Sequence, residues 1–219
     1  MTQTEPNDAT PFLPERRSLK DLREAAAGCK GCHLWRNATQ TVFGEGLKRA
    51  RVMLVGEQPG DREDRAGKPF VGPAGRELDK ALEKVGIARD DVYITNVVKH
   101  FKFEERGRRR IHQTPKRFEI DACRPWLDAE LEQVEPDALV LLGATAAKAL
   151  LGSSFRLTQH RGEVLPTELA PLVPDWVIVS ATVHPSAILR APDDEARQAQ
   201  REAFTEDLRA VARAVAELG

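Results

Sequence analysis

The sequence predicts an α/β fold, a three-layer α/β/α sandwich around a central four-stranded parallel sheet. Three observations predict it. Four short apolar runs, RVMLVG (51–56), VYITNVV (92–98), ALVLLG (138–143) and WVIVSAT (176–182), lack polar alternation, as strands buried on both faces do. Helical patterns separate them, and alternating strands and helices imply parallel crossovers. The chain has 219 residues, enough for one domain with a sizeable core.

The elements follow in order. The start, MTQTEPNDATPFLPERR, is rich in Thr, Pro and acids. It has no basic stretch leading into an apolar core, so no secretory leader is expected. Residues 1–17 are expected to be a flexible tail and 18–219 a single domain. SLKDLREAAAG (18–28) reads as a helix leading into the pair Cys29 and Cys32. PAGRELDKALEKVG (73–86) opens on Pro and closes on Gly, with Leu78, Leu82 and Val85 on one helical face. KRFEIDACRPWLDAELEQV (116–134) and ATAAKALLG (144–152) are the next helices. The last helix, from Asp193 to the C-terminus, carries acids in its first turn, where the helix dipole favours them. Two connections are long, 57–72 and 99–115. Long ordered loops in compact domains usually carry function, and in parallel sheets sites form at the carboxyl ends of the strands.

Composition narrows the function. The chain is 41% hydrophobic and 31% charged with a net charge of −1, so any nucleic-acid binding must come from local patches. No apolar run approaches the roughly 18 residues of a membrane span. A cytoplasmic bacterial monomer is the expectation. Three cysteines, Cys29, Cys32 and Cys123, argue against a disulfide framework, and the C-x-x-C spacing of the first two points to metal.

The strand ends carry the chemistry. After the first strand, GEQPGDREDRAGKPFVGPAG (56–75) is rigid with Gly and Pro and presents Glu57, Gln58 and Asp61. It is neither a dinucleotide loop nor a Walker A loop. Phe70 is either a core plug or a flat face for a base to stack on. Asn96, at the end of the second strand, either caps a loop or offers its donor and acceptor, side by side, to a pyrimidine edge bearing an acceptor and a donor, as uracil's O4 and N3–H do. His184, held extended before Pro185, can donate to an oxygen that gains charge. KFEERGRRRIHQTPKR (102–117) holds seven Lys/Arg against two Glu, and such a patch beside a pocket suits phosphate.

GEQPG, GKPFVGPAG, TNVVK and HPS stand in this order at successive strand ends. Together they resemble the uracil-DNA glycosylase superfamily, specifically its iron–sulfur family 4, over about residues 25–215. The resemblance implies uracil-containing DNA as partner, single-stranded by preference, with the base flipped out or already unpaired. It implies Phe70 stacking on uracil, Asn96 reading its edge, His184 donating to uracil O2 and Glu57 stabilising the sugar cation or acting as a base. It also implies a 4Fe–4S cluster. Cys29, Cys32 and Cys123 match three family cysteines, and His100 stands where the remaining one follows TNVVK. A Cys3His zinc site would use the same four residues.

Two departures refine the match. Gln58 stands where family 4 has Ala or Gly, and a basic insert holds a histidine. GEQPG with RRRIH resembles the UdgX subgroup, which bonds covalently to DNA at the uracil site. By that analogy His112 attacks the sugar C1′. Arg108, Arg109 and Arg110 would bind phosphate and, as like charges, disfavour protonation of His112. Arg190 is expected on phosphate, and Ile188 and Leu189 either enter the DNA or pack in the core. Gln58 is expected to shape the loop around the sugar, with Asp61 beside it. The alternatives are a conventional turnover glycosylase of family 4 type and a non-enzymatic, metal-stapled nucleic-acid-binding module.

Overall fold

A computed structural model describes residues 7–170 and 173–218. In chain order the elements are α1 (Leu19–Ala26), β1 (Glu45–Gly46), β2 (Val52–Gly56), α2 (Asp61–Ala66), α3 (Pro73–Lys84), β3 (Val92–Asn96), β4 (Phe103–Arg106), β5 (Arg109–His112), α4 (Arg117–Val134), β6 (Ala138–Leu142), α5 (Ala144–Leu151), α6 (Leu157–His160), β7 (Val164–Leu165), β8 (Ile178–Thr182), α7 (Ser186–Leu189) and α8 (Asp194–Ala216). Four parallel strands, in the order β3-β2-β6-β8, form the centre of the sheet. They are the four runs read from the sequence. Two antiparallel edges, β1 on β3 and β7 on β8, extend the sheet to six strands. Each edge strand has two residues, too short for any periodicity to reveal.

The apolar runs are continuous because the sheet is covered on both faces. Within β2, Val52 and Leu54 face a layer built on Leu78, Leu82, Phe204 and Leu208 of α3 and α8. Met53 and Val55 face the other way, toward Leu22, Trp126 and Leu150 of α1, α4 and α5. Successive strand side chains point to opposite faces, so one strand feeds both cores.

Three regions depart from the sequence reading. The 99–115 connection contains an antiparallel hairpin, β4–β5, turned at Gly107 and Arg108, with Gly107 at φ +61°. Charged side chains on both strands hid its alternation. The 57–72 connection contains α2, which ends at Gly67 in the left-handed region, φ +72°. Within the 1–17 tail, residues 1–6 lie outside the described residues, but the following segment is docked. Ala9 is buried and donates its N–H to Ala122 O at 2.8 Å. A Cβ on Gly31 would strike the Asp8 carbonyl, so glycine there admits the docked backbone. Among the described residues no helix is long and apolar enough to cross a membrane.

Candidate functional site

The carboxyl ends of the four parallel strands open into one cleft of about 890 Å³. Glu57, Gln58, Asp61, Phe70, Asn96, His112, His184 and Arg190 all line it. Residues distant in sequence meet there because parallel strands deliver their ends to the same edge.

The floor sets an aromatic face beside an unpaired amide oxygen. Phe70 is buried at φ +54°, a backbone strain of the kind concentrated at functional sites. Its ring lies 5.6 Å from that of His184, tilted by 33°. Gly56 lets Phe70 and Asn96 close in, since a Cβ there would overlap Phe70 Cζ and Asn96 Oδ1. Asn96 is 1% exposed, and its Oδ1 has no hydrogen-bond donor within the protein. A buried orphan acceptor costs about 1–3 kcal/mol, and a ligand N–H would relieve it.

The protonation state of His184 follows from its partners. Ser186 N–H donates to Nδ1 at 3.2 Å, and Ser186 Oγ lies 2.8 Å from the same nitrogen. Nδ1 is therefore an acceptor and Nε2 carries the proton. Arg190 Nη1 donates to Ser186 Oγ at 3.0 Å, which turns the hydroxyl proton toward the imidazole. Burial pushes His184 down to about 4, aided by the Arg190 and His112 charges and opposed by Glu57. His184 is thus a neutral donor at physiological pH.

Glu57 follows directly after β2, and His112 ends β5. His112 Nε2 stands 3.2 Å from Glu57 Oε1, but the ring is not aligned to donate, so that oxygen keeps no proper donor. Burial opposes ionisation of Glu57. The His112 ring, the Thr145 hydroxyl and the charges of His112 and His184 outweigh burial and hold it below the usual carboxylate range. Thr145, in the first turn of α5, was missed in the sequence. Residues were assigned at the ends of the first, second and fourth runs, while GAT after the third run was passed over.

The hairpin carrying His112 is anchored twice. Gln58 Nε2 donates to Lys102 O (3.2 Å) and Gln113 O (2.9 Å), and its Oε1 accepts from Lys102 N (3.0 Å). The Gln58 amide is thus spent on the hairpin root rather than left for a sugar. Arg110 departs from its expected place on phosphate. Its guanidinium binds Asp61 Oδ1 (2.5 Å) and Asp64 Oδ2 (2.6 Å) and lies against the rings of Phe101 and Phe103. Two carboxylates and two aromatic faces hold a half-buried cation inward. Asp61 is correspondingly committed to Arg110 and Arg65; these bonds outweigh burial and lower its pKa. Arg108 and Arg109 are exposed at the hairpin tip. The group facing His112 is a carboxylate, and the Arg110 charge is offset by its acids.

Ile188 packs in the core, whereas Leu189 and Arg190 line the cleft. Arg62, exposed on α2, and buried Glu63 also line it and were missed. Both sit in a charge-dense stretch, DREDR, that gives no sign of which member faces inward.

The cysteines pack in the layer formed by α1, α4 and α5, and none lines the cleft. Cys29 Sγ accepts from Trp126 Nε1 (3.2 Å) and Gly31 N (3.5 Å), and Cys123 Sγ accepts from Lys99 N (3.3 Å). Burial pushes the Cys123 thiol up to about 12, with Cys32 and Cys29 adding to the rise and Lys99 opposing it. Thr41 Oγ1 donates to Ala26 O, so His100 Nε2, 3.0 Å away, must be the donor to Thr41. That leaves the His100 Nδ1 lone pair available. N–H donors to sulfur and a neutral imidazole fixed by its other nitrogen suit metal ligands. Among the described residues, however, no three His, Cys, Asp or Glu side chains converge as an ion-holding group.

An aromatic floor, an unsatisfied amide oxygen, a neutral imidazole donor and a partly buried carboxylate thus converge in one cleft. Comparison with known proteins gives the family. The family model described as the uracil DNA glycosylase superfamily matches residues 43–209. The chain is similar to the type-4 uracil-DNA glycosylase of Thermotoga maritima, 39% identical over 184 residues, covering 82% of this chain and 88% of the relative. It is 38% identical over 175 residues to the type-4 uracil-DNA glycosylase of Pyrobaculum aerophilum, covering 80% and 86%. For the type-4 uracil-DNA glycosylase of Sulfurisphaera tokodaii the identity is 37% over 181 residues, covering 80% and 78%. The chain belongs to the uracil DNA glycosylase superfamily.

Proposed function

We propose that this protein excises uracil from DNA and remains bound to the sugar through His112, as the UdgX subgroup does. One observation carries the reading: His112 Nε2 stands 3.2 Å from the partly buried Glu57 carboxylate, on a hairpin anchored by Gln58 and Arg110. A histidine used only for phosphate would not need a fixed approach to a partly buried acid at the cleft wall.

Uracil stacks on Phe70, and Asn96 Oδ1 accepts its N3–H. The N1–C1′ bond breaks with its electron pair passing to uracil, and Nε2–H of His184 stabilises the growing charge at O2. Glu57, ionised, faces the cationic C1′. One imidazole nitrogen of His112 forms a bond to C1′, and the proton on the other leaves to a base, with Glu57 the adjacent carboxylate. The product is a neutral alkyl-imidazole, a poor leaving group, so the adduct persists. Arg108, Arg109 and Arg190 bind phosphate; Arg110 and Gln58 hold the hairpin, and Asp61 serves through Arg110. Cys29, Cys32, Cys123 and His100 would hold a 4Fe–4S cluster, whose contribution there is to staple the core, with no step of the reaction passing through it.

The second reading, conventional turnover, is favoured by the names of the type-4 relatives. A denaturing gel separates the two. A single-stranded oligonucleotide with one uracil is mixed with the protein, boiled in SDS and resolved beside a thymine control and His112→Ala. The expected result is a slow band for uracil only, absent in the variant. Strand scission after alkali with no slow band would establish turnover. Acid-labile sulfide and iron analysis of protein purified without air tests the cluster.

A further inference from the structure

The cleft wall continues into a surface that the reaction does not use. Thr114 lines the cleft, and the chain passes through Lys116 into the first turn of α4. There Phe118 is 56% exposed, although α4 has a well-filled buried face. Its ring lies 5.8 Å from that of His33, tilted by 30°. His33 Nε2 lies 3.2 Å from Glu119 Oε1, although the ring is not aligned to donate to it. Glu119 is buried and also binds Lys102 Nζ (2.8 Å) at the hairpin root and Lys116 N (2.5 Å). The same short helical turn presents Trp35, with Lys30 Nζ 4.9 Å and the Arg36 guanidinium 5.9 Å from its ring centre. Four residues of chain reach at most about 14 Å, so Phe118 lies within about two nucleotides of the cleft rim.

We propose that Phe118 and His33 form a stacking platform for a base flanking the uracil, with Lys116 and Lys30 binding the adjoining phosphates. A single-stranded flank of the substrate then runs from the cleft over the N-terminal turn of α4. Aromatic faces interleaved with cations are what sequence-independent single-strand binding requires. The charge suits this occupant: Lys116 and Lys30 stand at the surface, while of the nearby acids Glu119 is buried and bound by Lys102 and Asp121 is paired with Arg117. The platform is tied through Glu119 to the hairpin root, so it keeps a fixed relation to His112.

The test uses fluorescein-labelled single strands carrying 2′-fluoro-2′-deoxyuridine, whose fluorine slows cleavage, with either flank cut from eight nucleotides to one. Anisotropy titrations compare the wild type with Phe118→Ala and Phe118→Trp. Removing one particular flank should weaken the wild type about tenfold, the loss of one base–aromatic stack. Phe118→Ala should bind the full strand about tenfold more weakly and lose its response to that truncation, and Phe118→Trp should restore both. Equal truncation effects in wild type and Phe118→Ala would overturn the proposal. A thymidine strand of full length reports base recognition in the cleft separately, so failure there is distinct from failure of the platform.

Discussion

Two ion-pair networks in this molecule use the same chemistry for different ends. Beneath the sheet, Lys99 and Glu130 are both fully buried and paired. Glu130 also accepts from Gly44 N, Tyr93 OH and Thr95 Oγ1 at 3.0 Å, and Lys99 Nζ donates to Asn96 O at 2.8 Å. Every strong polar group is met, and the pair locks the end of β3 that carries Asn96. At the cleft mouth, Arg110 joins part-exposed Asp61 and buried Asp64, which keeps the Thr39 N–H as a second partner, and it locks an appendage rather than the core. The difference teaches that what a network fastens decides the consequence of losing a partner. One network is a condition of folding and the other a condition of aim.

The largest expected effect tests the first half of that contrast. Glu130→Ala strands a buried ammonium and should cost about 3–5 kcal/mol, read as a fall in the urea midpoint. A smaller loss would mean that water reaches Lys99. Arg110→Ala frees the hairpin but leaves the sheet intact. Its stability loss should stay near 1–2 kcal/mol, while adduct formation on the gel falls at least tenfold. Equal adduct yield would break the contrast. A third outcome concerns His184, surrounded by Glu57, Arg190 and His112. Its folded pKa, about 4, lies below the ordinary 6.5, so the unfolded state binds more protons between those values. Stability should therefore fall as pH drops from about 6.5 to 4. His184→Asn should lessen the slope of that part of a melting-temperature profile, with the remainder left to His100, which burial also lowers to about 4. The smallest effect belongs to the hairpin tip. Arg108→Ala and Arg109→Ala should leave stability within about 0.5 kcal/mol of wild type and each reduce the salt slope of single-strand binding by about 0.7.

The sheet was legible in the sequence because its strands are buried on both faces, and continuous runs such as ALVLLG survive without context. The hairpin was not, because Phe103 and Ile111 are its few apolar markers among charges. The cleft residues Glu57, Phe70, Asn96 and His184 were legible from their places at strand ends. Arg110 was misread because a sequence shows that it is basic but not that Asp61 and Asp64, far back along the chain, fold beneath it. The partners through which Gln58 shapes its loop were hidden for a related reason: its three bonds all go to backbone atoms of Lys102 and Gln113, which no side-chain pattern announces.

The two-residue strands that flank the sheet carry a last consequence. A long, flat outer strand is a template on which another molecule can add its own backbone. β1 and β7 each end after two residues, so neither border offers a ladder long enough to propagate. Copies of this chain that meet at high concentration thus do so without sheet borders that would seed aggregation.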